Sequence, residues 1–104
     1  MQLEKHALKL NSYNVCRAFY CLHEQSKDEN IRANKKSLNS LQIRANFLVD
    51  RMTEMLSRES DVAVLDLYWS NKLASDIEKV LTPIFSGEVG YIPLDLRKLQ
   101  LYSV

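Results

Sequence analysis

The chain has 104 residues, 46% of them hydrophobic and 26% charged, with a net charge of +1. Those values describe one globular domain able to bury a core without disulfides or metal ions, and they argue against disorder and against a polybasic protein. Charge is nevertheless unevenly placed: residues 1–58 carry ten Lys/Arg against six Asp/Glu, and residues 59–104 carry four against seven.

The two Gly and two Pro all lie after residue 82. A chain with so few breaks is expected to be all-α: an antiparallel bundle of three long helices plus a short C-terminal segment, taken as helical. The first helix is expected over about Leu3 to Gln25. Leu3, Ala7, Leu10, Ala18, Cys21 and Leu22 form its wide apolar face, with Val15, Leu8 and Phe19 at the margin. A second seam of Tyr13, Cys16 and Tyr20 suggests contact with more than one neighbour. Cys16 and Cys21 fall on different faces, too far apart to bridge, and are read as reduced thiols.

"SKDENIRANKK" then separates the first two helices. Ser26 with Glu29 has capping-box spacing, and Asp28, Asn34 and Ser37 are further N-cap candidates, so the second helix starts between about Lys27 and Leu38. It ends near Ser57. Its seam is Leu38, Leu41, Ala45, Leu48, Met52 and Met55, alternating three and four residues apart. Ile43 and Phe47 break this pattern, because at about 100° per residue they fall on the opposite side.

The short "SRESD" connection predicts a helical hairpin, with Ser60 as N-cap of the third helix. That helix carries Val62, Trp69, Leu73, Ile77, Val80, Leu81 and Ile84 on one side, and Val64, Leu65 and Tyr68 on the other. Asp66 lies among apolar neighbours and must reach the rim or find a partner. Pro83 is expected to end or kink the helix, and Gly87 is a candidate C-cap. Residues 84–95 are expected as a flexible connection within a single domain, 1–104. In "PLDLRKLQLY", Leu96, Leu99 and Tyr102, or Leu94 and Leu101, can face inward.

The N-terminal segment lacks the uninterrupted apolar core of a secretory signal, and no apolar run approaches the roughly 20 residues needed to span a bilayer. A soluble, cytoplasmic protein is expected. "HALK" (His6 to Lys9) resembles four residues of the phosphoacceptor segment of histidine phosphotransfer domains, which are small four-helix bundles; the resemblance implies a phosphoacceptor His6. That motif continues with Gly where this chain has Leu10, so His6 is read as a solvent-exposed helical residue. Cys16, Cys21 and His23 do not converge as metal ligands must. No nucleophile–base pair, phosphate loop or paired-carboxylate motif is present, and the expectation is a non-enzyme without cofactor or metal.

The most informative feature is the outer face of the second helix. Arg44, Arg51 and Arg58 recur every seven residues, with Arg32 and Lys36 as possible extensions and Ile43 and Phe47 inside the strip. Three readings stand: a partner surface, core covered by another segment, or a solvated face with Glu54 and Arg58 as an i,i+4 pair. The leading expectation is a small helical interaction module (adaptor, chaperone, immunity factor or inhibitor) that binds a protein partner or itself as a homodimer. Ile43, Phe47, Arg44, Arg51 and Arg58, then Tyr13 and Tyr20, would carry the binding. The alternative is a nucleic-acid-binding regulator using the same basic strip.

Overall fold

A computed structural model describes residues 11–58 and 61–100. Among these residues the regular structure is helical: α1 (Ser12–Ser26), α2 (Glu29–Arg32), α3 (Lys35–Ser57), α4 (Val64–Phe85) and α5 (Arg97–Gln100). The expected helical turns before Leu10, the "HALK" segment, Ser60, Leu101 and Tyr102 lie outside the described residues.

Helix starts follow side-chain chemistry. Asn11 is extended, and its side chain accepts the Asn14 N–H, so α1 begins at Ser12 and does not run unbroken from Leu3. Between α1 and α3, two of the four cap candidates are used in succession. Asp28 accepts from Asn30 and Ile31 to start the single turn of α2, and Asn34 accepts from Lys36 and Ser37 to start α3. Ser26 is buried instead, its hydroxyl donating to the His23 carbonyl at 2.6 Å.

The start of α4 departs from expectation. Its first residue is Val64, and its N-cap position, Ala63, has no side chain able to accept a hydrogen bond. A cap comes from another helix: the Ser12 hydroxyl accepts the Ala63 N–H at 3.3 Å and donates to the Asp66 carboxylate at 2.7 Å. Asp66, in the first turn of α4, thereby gains a donor and also complements the helix dipole.

Pro83 does not stop α4. The chain stays helical through Phe85, and the Ser86 N–H closes the last turn on the Thr82 carbonyl at 2.9 Å. So near the C-terminus the ring removes a single donor, and the buried, stacked Phe85 holds the final residues in place. The C-cap is Ser86, followed by Gly87 at φ +86°. The Glu88 N–H reaches the Phe85 carbonyl across this glycine, and the Tyr91 N–H reaches the Glu88 carbonyl across Gly90 at φ +88°. Both turns need a left-handed residue at their third position, which glycine supplies without strain.

These turns fold the following chain back over the bundle. Tyr91 stacks on Phe85 at 5.5 Å, and its hydroxyl donates to Glu78 at 3.1 Å. Glu78 also accepts from the Leu94 N–H and the Thr82 hydroxyl. Burial, reinforced by the Glu78 carboxylate, pushes the Tyr91 phenol above its ordinary range. From α3, Gln42 donates to the Ile92 carbonyl and Lys35 pairs with Glu88. Leu94 and Leu99 are thus delivered into the core, while Leu96 is partly buried against it.

The core is continuous. Val15, Phe19 and Leu22 of α1 meet Leu38, Leu41, Ala45, Leu48 and Met52 of α3 and Leu67, Ala74, Ile77 and Leu81 of α4. The α3 seam lies where its periodicity placed it, extended by Val49 and Gln42. On α1 the buried stripe is rotated: Phe19 is at its centre with 0% exposure and Cys21 is outside. Ser12 with Asp66 and His23 with Asp76 pair in the same chain order on α1 and α4. Gln25 meets Arg44 where α3 comes back along α1. These pairings fit an up–down–up arrangement of the three long helices.

Candidate functional site

Two grooves flank α1, and every sequence-selected residue except Ile43, Arg51 and Arg58 lines one of them. The larger, about 560 Å³, runs between α1 and α4. Tyr13, Cys16 and Tyr20 recur at three- and four-residue spacing and so form one wall, and Trp69 and Leu73 form the other. The second seam of α1 therefore faces a groove, not a neighbouring helix core. Trp69, expected on the buried side of α4, is 45% exposed at the groove edge, because the buried stripe runs through Leu67, Ser70, Ala74 and Ile77. Its ring meets Tyr68 edge to face, with centroids 5.5 Å apart.

The apolar surface continues beyond the groove. Leu65 is one turn before Trp69, Val64 is one turn before Tyr68, and all four are exposed. Charges frame the groove in equal numbers: Arg17, Lys27 and Lys72 against Glu24, Asp66 and Asp76. His23 Nε2 lies 3.6 Å from Asp76. Burial, with the Asp66 carboxylate adding to it, raises the Cys16 thiol above its ordinary pKa, so this sulfur is not an activated nucleophile.

The smaller groove, about 350 Å³, lies between α1 and α3. Cys21, Leu22 and Ala18 form one side, and Arg44, Phe47 and Leu48 the other. Phe47 is 52% exposed and Ile43 is 60% exposed, so neither is covered by another segment. The reading of this pair as core is set aside. Both point outward because Leu41, Ala45 and Leu48 take the inner side of the same turns.

The basic strip around them is largely engaged within the molecule. Arg44 donates to Gln25 at 2.8 Å. The Arg51 guanidinium sits over the Phe47 ring, 5.1 Å from its centroid, and 3.5 Å from Glu54. Arg58 pairs with the same Glu54 at 2.9 Å. Glu54 therefore offsets much of the strip's positive field, which heptad counting of the arginines alone overlooks.

Two positions lie where the sequence does not lead one to expect them. Trp69 was assigned to the core, although its i−4 neighbour Leu65 lies on the outward apolar side and signals a wider face. Glu78 has one local partner, the Thr82 hydroxyl four residues on, but its links to the Tyr91 hydroxyl and the Leu94 N–H lie beyond two turns of chain and leave no sequence signal. Among the described residues no cluster of three or more His, Cys, Asp or Glu is arranged to hold a metal ion. No described helix is long and apolar enough to cross a membrane. Comparison with protein-family models, with curated proteins and with solved structures finds no match.

Proposed function

We propose that this chain is a small, cytoplasmic, non-enzymatic helical interaction module that works by docking a protein on its apolar α1/α4 face. The observation that supports the reading is the number of large apolar side chains exposed along α1 and α4. Tyr13, Tyr20, Val64, Leu65, Tyr68 and Trp69 are all exposed. Tyr13, Tyr20 and Trp69 border the groove and the others continue along α4, and such clustering of large exposed apolar side chains marks interaction surfaces on soluble proteins. Aromatic residues beside a groove are also the side chains that dominate binding energy at protein interfaces. An adaptor or inhibitor needs no further chemistry than this.

The nucleic-acid alternative draws less support, because Glu54 and Gln25 already occupy the arginines it requires. Capture by the immobilised full chain, with and without nuclease, separates the two. Retention of protein that survives nuclease and is lost for Trp69→Ala is expected, whether the retained protein is another copy or a different chain. Micromolar binding to generic duplex DNA that falls steeply with salt would overturn the reading.

A further inference from the structure

We infer that residues 87–100 form a detachable strap. The strap opens as one unit while the three long helices stay folded, and opening uncovers apolar surface where it lies across α3 and α4. This device is separate from the docking role proposed above and does not depend on it. The backbone is the first argument. The Glu88 N–H reaches back to the Phe85 carbonyl, and the hydrogen bonds from Tyr91 to Glu88, Leu96 to Leu94 and Leu99 to Leu96 stay inside the segment. Among the described residues, its polar links to α3 and α4 all run through side chains of those helices. Lys35 pairs with Glu88, Gln42 donates to the Ile92 carbonyl, and Glu78 accepts from the Tyr91 hydroxyl and the Leu94 N–H. Lifting the strap therefore breaks no backbone ladder of the bundle. The Lys35–Glu88 pair is largely in solvent and adds little to closure.

The second argument is the hinge. Gly87 at φ +86° and Gly90 at φ +88° both have open space where a side chain would stand, so they serve the backbone conformation and not close packing. Rotation at these two residues swings everything beyond them. The third argument is the seat. The strap's helix, α5, packs against both α3 and α4. Leu94 and Leu99 are buried and Tyr91 stacks on Phe85, whereas Val89 and Ile92 face solvent on the strap's other side. Opening strips the cover from Phe85, only 6% exposed when closed, and from the core that Leu94 and Leu99 complete. An element joined by a few buried side chains and no shared ladder is the kind that opens below the free energy of global unfolding.

The test is native-state hydrogen exchange of the full chain, followed amide by amide in low denaturant. The Tyr91, Leu94 and Leu99 amides should share one opening free energy and one denaturant dependence, both smaller than those of Ile77 in α4. Val15→Ala separates the two kinds of opening. Val15 is buried in α1, which stays packed whether the strap is closed or open, so the variant should speed exchange at Ile77 and leave the strap amides unchanged. Tyr91→Phe deletes one tether and keeps the ring stack. It should speed exchange at position 91, Leu94 and Leu99 by a common factor of about tenfold, the worth of one hydrogen bond to a charged group. Strap amides that accelerate with Ile77 in Val15→Ala would show that the segment leaves only on global unfolding and overturn the inference. Acceleration at Leu94 without Leu99 in Tyr91→Phe would overturn the single unit.

Discussion

Ser12 of α1 caps α4 in place of a residue from α4's own approach, accepting the Ala63 N–H and donating to Asp66 at 2.7 Å. This one hydroxyl ties the two helices together beside the groove that Tyr13 and Trp69 line. The wall spacing of the proposed binding face is thus set by a polar contact beside it and by the core beneath it.

Ser12→Ala removes both bonds and leaves Asp66 without this donor. A loss of about 1–2 kcal/mol is expected, in the range of a lost helix cap, and urea denaturation measures it. Ser12→Thr, which retains the hydroxyl, should recover part of the loss.

Glu78→Ala should release the C-terminal segment. Three donors converge on this carboxylate, from Thr82, Tyr91 and Leu94. The expected cost is about 1–3 kcal/mol, and hydrogen exchange at the Leu94 amide should lose its protection before the α3 core does.

Phe47→Ala together with Ile43→Ala should cost about 1 kcal/mol or less, because both side chains already meet solvent. Phe19→Ala, at a position with 0% exposure, should cost about 3–5 kcal/mol by leaving a cavity. Thermal denaturation of the two variants in parallel measures the contrast. Equal losses would show that Ile43 and Phe47 are structural.

The two thiols should differ in reactivity. Cys16 is half-buried with its pKa raised, by burial first and by Asp66 in addition, so at a given pH less of it is thiolate. Its alkylation should be slower than that of exposed Cys21 and should accelerate only at more alkaline pH than an ordinary thiol. Asp66→Asn removes the neighbouring negative charge and should shift that acceleration toward lower pH. Rates followed by mass spectrometry between neutral and alkaline pH give both profiles.

The sequence makes the long helices legible because their signals are local. The seam from Leu38 to Met52 follows the helical period, Asp28 and Asn34 sit where caps belong, and the absence of Gly and Pro before Pro83 leaves no other class of fold. The surplus apolar residues were also legible, in Tyr13 with Tyr20, Ile43 with Phe47, and Val64 with Tyr68, but whether another segment covers them was not, and all six are exposed. What stayed hidden depends on partners distant in sequence. Ser12 and Ala63 are separated by 51 positions, and Gln42 reaches across 50 to Ile92. The rotation of α1 that buries Phe19 and exposes Cys21 was hidden too, because an apolar stripe wider than half a helix does not define its own centre. Trp69 was misplaced for the same reason on α4.

Trp69 is the single tryptophan of the chain, so its fluorescence reports directly on the face proposed to associate. On saturation with the protein that the immobilised chain retains, the account predicts a blue shift of its emission as the ring leaves water. Emission that keeps the position of a half-exposed indole at saturation would contradict it.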